Sequence, residues 1–394
     1  MKKQKSNRDN EVIFTPRFIR NVVFKALLLF LVCNFITGLC DPLTWLGNLS
    51  AYNLVFPGRQ RLPWSENPSV AYNLSLNNLD AMFASHEVSG GSKPEGEYRV
   101  LVFGDSSVWG FFLTNEETYT ANLNKAQLVT QDGRHVRAYN LGFPTISLTK
   151  DLMLIDYAMQ YQPDMVLWLV TLESFPHSKQ IFTPLVQHNH DRVENLINTY
   201  NLNLDPNDEG FIRSSFWERT IIGQRRPLAD LLRLQLYGVM WAATGIDQDI
   251  PDIYTPRQED YETDDSFYEF KPPMLNINGL AFDVLSAGVS RAKDVPFLII
   301  NEPIFISQGQ NSDIRYNFFY PRWAYDSYRQ LMAERSELNG WNYLDMWDLF
   351  PGTEFTNTAI HLTPEASAQL ASEIGKAILN LANGTFANSI YTSH

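Results

Sequence analysis

Three short stretches of the 394-residue chain hold side chains able to do chemistry. The first is Phe103-Gly104-Asp105-Ser106-Ser107-Val108-Trp109-Gly110, directly after an apolar run. A glycine there lets the chain turn sharply, so Ser106 stands at the start of a helix. Its hydroxyl is then exposed, and its amide can help to hold an oxyanion. The second stretch is Asn140-Leu141-Gly142, where a glycine lets a backbone N–H come close to a ligand. The third runs from Phe355 to Glu365 and sets His361 just before a final helix. Each stretch alone also has a plainer reading: a serine helix cap, a simple turn, and a packed or solvated histidine. Taken together they stand in one order, at the ends of successive strands.

Those strands are read from runs of consecutive apolar residues. Tyr98–Phe103, Val136–Asn140, Asp164–Thr171, Val295–Asn301 and Trp341–Asp345 are the five candidates. Helical spacing falls between them, near Glu116–Gln127, over Leu148–Tyr161, near Trp323–Leu338 and from Pro364 to about Leu381. Continuously apolar strands separated by helices indicate a parallel sheet covered on both faces. Five of them make a three-layer α/β/α domain. In such a sheet ligands bind outside the carboxyl ends of the strands, which is where the three stretches fall.

Residues 176–275 break the rhythm, with scattered aromatics and the acidic run Glu259–Asp265, and read as an insertion after the third strand. Three further segments are open at this level. Asn301-Glu302-Pro303 follows the fourth strand: Asn301 donates hydrogen bonds in the cleft or Glu302 orients His361, or else the loop caps its own backbone. The stretch Arg315–Trp323, aromatic and twice basic, either binds a sugar or an anion or packs on the core. His188-Asn189-His190 lacks a surrounding ligand pattern and reads as a solvated loop, with no metal expected.

The three blocks together resemble the SGNH (GDSL-type) hydrolase and acyltransferase superfamily. The resemblance rests on Gly104-Asp105-Ser106 with Gly110 four residues on, on Asn140-Leu141-Gly142, and on His361 followed by Leu-Thr-Pro-Glu. It covers about residues 97–175 and 295–381. It implies a flavodoxin-like five-stranded parallel sheet, Ser106 as nucleophile, His361 as general base, and the Ser106 and Gly142 amides in the oxyanion hole, with no cofactor. Two departures stand out. The family's Gly-x-Asn-Asp block is Thr171-Leu172-Glu173-Ser174 here, so Glu173 replaces the asparagine that donates to the oxyanion; Thr171 or Asn301 are the alternative donors. The family's Asp three residues before the histidine is Thr358, beside Asn357. Asn357, Thr358, Glu302 and Asp348 are therefore the candidates for a third member or orienting group. Asp105, Thr171, Glu173 and Asn301 are the candidates for lining the site. Anchored relatives of this type act on envelope polysaccharides, which implies an acyl ester or glycan as substrate and a membrane acyltransferase as possible partner.

Composition sets outer bounds. Hydrophobic residues are 44% and charged residues 19%, a globular composition that excludes disorder as the main theme. The net charge of −13 argues against a nucleic-acid footprint. Residues 1–40 hold seven Lys/Arg and two acids, leaving 24 basic against 42 acidic side chains, a net −18, in the rest. The two cysteines, Cys33 and Cys40, both fall in that N-terminal segment, so the remainder cannot form a disulfide. Residues 18–40 read as a transmembrane anchor, preceded by a basic tail over 1–17 and followed by Asp41. The positive-inside rule puts the N-terminus in the cytoplasm and the rest outside. A cleaved signal peptide is the competing reading, disfavoured because no small-x-small site follows the apolar run. The expected plan is then a juxtamembrane segment over 41–95, an SGNH-like domain over 96–385 and a tail over 386–394.

Overall fold

In the computed structural model, residues 15–40, 42, 46, 49, 51–56, 66, 77–213, 215–246, 250, 257–387 and 389–390 are described. Most of the basic tail, Asp41, much of the 41–95 segment and residues 391–394 lie outside them.

The first helix, α1 (Pro16–Cys40), begins with proline at its first position, and Thr15 Oγ1 accepts from Phe18 N at 3.2 Å. Its 25 residues have a window of mean hydropathy 2.2, long and apolar enough to cross a membrane. A membrane anchor and a signal sequence both meet that description.

The domain that follows alternates strand and helix. In chain order come β1 (Glu97–Phe103), α2 (Ser106–Trp109), α3 (Tyr119–Lys125), β2 (His135–Asn140), α4 (Leu148–Ala158), β3 (Met165–Val170), α5 (His190–Tyr200), α6 (Arg225–Thr244), α7 (Phe282–Ala292), β4 (Phe297–Asn301), α8 (Arg322–Asn339), β5 (Asn342–Asp345), α9 (Pro364–Ala382) and β6 (Ser389–Ile390). The sheet order is β2-β1-β3-β4-β5-β6, and every pairing is parallel. The five expected strands are present, with ends shifted by one or two residues. The two-residue β6 extends the sheet beyond β5. Every residue of β3 and β4 is buried, as strands covered on both faces must be. Helix α3 packs with α9, and α4 with α7, giving the outer layers.

Helix α7 is absent from the sequence reading. The reason lies at Gly288, which interrupts its apolar pattern as a helix breaker would. The glycine is there for packing: a Cβ at this position would lie 2.4 Å from Cζ3 of Trp168, the indole that fills the centre of β3. Within residues 176–275, α5 buries Val193, Leu196 and Ile197 and packs against α4. That part belongs to the domain's core, whereas α6 buries only Leu231 and Gly238.

Register matters for the site. Val102 lies opposite Asn140, Phe103 opposite Trp168, and Val170 opposite Asn301, which in turn lies opposite Asp345. The residues that leave these strands therefore emerge at one end of the sheet.

Candidate active site

Chain geometry at the end of β1 sets the serine. Gly104 has φ +156°, and a Cβ there would lie 2.4 Å from Val108 Cγ2 and 3.1 Å from the Leu169 carbonyl, so no larger residue fits. Asp105 then caps α2, its Oδ1 accepting from Ser107 N at 2.8 Å. Ser106 is the first residue of the helix, where the backbone N–H has no intrahelical acceptor. Gly110, at φ +93°, closes the turn, and both Gly110 N and Phe111 N donate to the Ser106 carbonyl at 3.1 Å.

The histidine is fixed just as locally. Thr356 N donates to the His361 carbonyl at 2.8 Å, and a bridge pairs Phe355 with Leu362. Thr363 caps α9 by accepting from Ala366 N, and Pro364 follows at the first helical position. Ser367 Oγ donates to the Glu117 carbonyl at 2.7 Å, tying α9 to the loop after α2.

These two constructions bring Ser106 Oγ to 2.9 Å from His361 Nε2, across 255 residues of sequence. On the other side of the ring, Nδ1 lies 3.2 Å from Asn357 Oδ1. A carbonyl oxygen at Nδ1 selects the tautomer with the proton on Nδ1, which leaves Nε2 as an acceptor facing the serine. Phe111 stacks on the imidazole, with ring centroids 4.8 Å apart and planes at 27°. His361 is 7% exposed, and burial pushes its pKa down to about 4. At neutral pH the imidazole is uncharged and able to accept a proton.

Both ring nitrogens are thus occupied, and this corrects part of the sequence reading. Glu302 does not orient His361; its Oε2 accepts from Ser107 Oγ. Asp348 and Thr358 have no place at the ring either, and Thr358 Oγ1 accepts instead from Ile360 N. Of the four candidates, Asn357 is the one at the histidine.

The candidate oxyanion donors are rearranged as well. Asn301 is buried in a polar knot, donating to Asp345 Oδ1 at 2.8 Å and accepting from the hydroxyls of Tyr325 and Tyr328 at 3.2 and 3.3 Å. Thr171 Oγ1 pairs with Tyr320 Oη at 2.8 Å. Neither side chain is available to an oxyanion. Glu173 is buried with its carboxylate held by Lys179 and by the Tyr268 hydroxyl, so its charge is matched by a lysine. Gly142 N donates to Asn140 Oδ1 at 3.1 Å, and Asn140 Nδ2 to the Val108 carbonyl at 2.9 Å. A Cβ on Gly142 would fall 2.5 Å from Trp109 N. Glycine at this position lets the end of β2 press against α2, a tighter reason than access for a ligand.

One residue that sequence reasoning missed lies under both loops. Lys150, fully buried in α4, donates from Nζ to the Gly104 carbonyl at 2.8 Å and to the Phe143 carbonyl at 3.1 Å, and pairs with Asp151 Oδ1 at 2.7 Å. Asp151 also accepts from Trp168 Nε1. One ammonium thus joins the turn that carries Ser106 to the one that carries Gly142. The signal was present: α4 is apolar on every side except for this Lys-Asp pair. Around it lies a buried acid cluster. Burial pushes the Asp105 carboxyl up, against the pull of the Ser107 amide and Lys150. Burial, then the Asp105 charge, push Glu302 well up. Burial pushes Asp151 up to about 6, against the pull of Lys150.

The other open segments resolve structurally. The Arg315 guanidinium donates to the carbonyls of Asp264, Phe318 and Phe319, and Arg322 Nε donates to the Ser312 carbonyl. Both arginines tie loops together. His190 is not in a solvated loop; it starts α5, 8% exposed, with Nε2 at 3.0 Å from the Pro206 carbonyl. His190, Asp191 and Glu194 hold three donor atoms within 4.8 Å of one another, on the first turn of that helix.

A parallel sheet whose first five strands run 2-1-3-4-5 between helical layers, with a serine turn after β1 and a histidine before the last helix, is an SGNH-like α/β fold. No family model matches the chain, and no curated protein does. Among solved structures it is similar to a protein described as lipolytic, of the G-D-S-L family, from Desulfitobacterium hafniense DCB-2. That likeness covers 71% of this chain and 98% of the other, with TM-score 0.34 and 10% identity. A gut microbial diltiazem-metabolizing enzyme matches over 73% of this chain and 48% of its own, about half its length, with TM-score 0.33 and 9% identity.

Proposed function

We propose that the chain is a serine-dependent esterase or O-acyltransferase working through an acyl-enzyme on Ser106. The observation that carries this is the 2.9 Å approach of Ser106 Oγ to a buried, neutral His361 whose far nitrogen faces Asn357. In the proposed reaction, Ser106 Oγ attacks the ester carbonyl carbon as its proton passes to His361 Nε2. The oxyanion takes hydrogen bonds from the Ser106 N–H and, as its donation is shared with Asn140, from the Gly142 N–H. His361 returns the proton to the departing alcohol oxygen. Water or a sugar hydroxyl, deprotonated by the same nitrogen, then takes the acyl group and frees the serine.

Asn357 orients the imidazole without supplying a charge for the imidazolium. In serine proteases the corresponding loss of an aspartate costs about 10⁴ in rate, largely because the tautomer is wrong. The carbonyl of Asn357 preserves the tautomer, so the expected penalty is the smaller, electrostatic part.

For the substrate we infer an acyl ester of a cell-envelope glycan, with α1 as an uncleaved anchor, the N-terminus in the cytoplasm and the domain outside. Support comes from the basic residues ahead of the span. It comes also from the burial of Asn34 and Gly38 of α1 against the domain, a contact that a cleaved leader would not keep.

The test is labelling of the full chain in detergent micelles with a fluorophosphonate serine probe. Labelling that is lost in both Ser106→Ala and His361→Ala is expected. A folded wild-type protein that does not label, or one in which Ser106→Ala labels fully, overturns the assignment.

A further inference from the structure

Helix α6 buries two of its 20 residues, Leu231 and Gly238. Helix α9, of 19 residues, buries eight. On the outward side of α6, Leu232, Leu236 and Met240 follow one another at four-residue spacing, one stripe of a helix, and are 63, 70 and 58% exposed. The loop leading into α6 adds Trp217 at 77% and Ile222 at 56% exposure.

Charge follows the same boundary. Residues 215–246 hold four arginines and two acids, a basic segment in a domain that is otherwise strongly acidic. Arg225, Arg226 and Arg233 flank the apolar stripe, and Asp230, the acid of α6, pairs with Arg233 at 2.9 Å. Apolar residues on an open face with arginines beside them are the composition of a helix lying in a membrane interface.

The depth of this segment is set by α1. Ile222 N donates to Asn34 Oδ1 at 3.2 Å. Phe216 stacks against Phe35 with centroids 5.4 Å apart, and a Cβ at Gly38 would come within 2.9 Å of the Phe216 ring. Asn34 is about 9 Å along the axis from the end of α1, given 1.5 Å per residue. The 216–222 loop is therefore level with the last turns of the apolar helix, where hydrocarbon gives way to headgroups.

We propose that α6, with Trp217 and Ile222, is an interfacial lipid-binding element. Leu232, Leu236 and Met240 insert among the acyl chains, and the arginines stand at the lipid phosphates. The occupant of the face is the bilayer that α1 crosses, and the proposal rests on α1 being a membrane span. It gives the domain a second hold on the membrane and a fixed orientation relative to it.

The test uses the full chain with Cys33→Ser and Cys40→Ser, reconstituted into vesicles of phosphatidylcholine and phosphatidylglycerol. A bimane label is placed in turn at Leu236→Cys, Leu29→Cys in α1 and Leu338→Cys on α8, all exposed positions. Quenching is read with lipids brominated near the top of the acyl chain and with aqueous iodide. Leu236 is expected to lose about twofold or more of its emission to the brominated lipid and to resist iodide, while Leu338 does the reverse. If Leu29 responds to brominated lipid and Leu236 responds only to iodide, α1 spans and the α6 proposal falls alone. If Leu236 is shielded from both quenchers, a protein surface covers the stripe, and the proposal is wrong in its occupant. If Leu29 itself is not quenched by brominated lipid, the membrane reading and the proposal fall together.

Discussion

The carboxyl end of the sheet and the α6 arm are built on opposite principles. Around Ser106, His361, Lys150 and Asn301, side chains are buried and their polar atoms engaged by named partners within the chain. On α6 the large apolar side chains face outward with no partner among the described residues. A site that needs sub-ångström placement is surrounded by its own constraints. An arm that meets something outside the chain leaves its contacts unmade until that partner is present. Order at the first is intrinsic; at the second it is conditional.

The sharpest way to break the first half of the comparison is at the reacting pair. Ser106→Ala and His361→Ala are each expected to lower kcat/KM on a chromogenic acetyl ester by about 10⁴-fold or more with little change in melting temperature. Lys150→Met comes next. It removes the ammonium from three buried oxygens and leaves Asp151 without its cation, so a loss of about 3–5 kcal/mol in stability is expected by denaturant unfolding. Adding Asp151→Asn should recover part of it, which a simple cavity would not show.

Asn357→Asp sharpens the electrostatic argument. A carboxylate at Nδ1 favours the imidazolium, so the His361 pKa rises from its low value of about 4. In the wild type the acid limb of kcat/KM should fall near pH 4, because the neutral base persists to that point. In the variant the limb moves up toward or past the ordinary histidine value of 6.5, and the plateau rises by about 10-fold or more as the imidazolium gains a counter-charge. Linkage gives the sign for stability. A folded-state pKa below the unfolded one means that the unfolded chain binds its proton first as pH drops from 6.5 toward 4. The wild type therefore loses stability in that window and Asn357→Asp loses less. A pH–rate profile with unchanged limbs would contradict this account.

The smallest effect belongs to the arm. Leu232→Ser, Leu236→Ser and Met240→Ser, combined, should shift stability in detergent by only about 0.5 kcal/mol per site or less, since nothing in the chain packs on them. A core-sized loss would show that the two regions are not built differently after all.

What could be read from sequence follows from where the constraint is local. Strand β3 is legible because Met165–Val170 must be apolar on both faces. The serine turn is legible because Gly104, Ser106 and Gly110 act within seven residues. Helix α7 was hidden because Gly288 answers to Trp168, a packing demand 120 residues away that no local pattern carries. Glu302 followed the expected strand but took Ser107, 195 residues distant, as its partner, and not His361. Asn357 was visible only as a departure, because its role depends on which oxygen or nitrogen faces the ring. Lys150 was passed over because a charge in an apolar helix reads as a surface residue until the helix is known to be covered all round.

Phe111 follows Ser106 by five residues, and its ring covers the histidine. The short turn that presents the nucleophile therefore also keeps water off the base. Misalignment there is not shared between two independent parts; it disarms attack and rehydrates the imidazole in one movement. The hexapeptide is a single point of failure, and by the same logic a single point of control. Any ligand or neighbouring chain that displaced Gly110 would switch both functions off together.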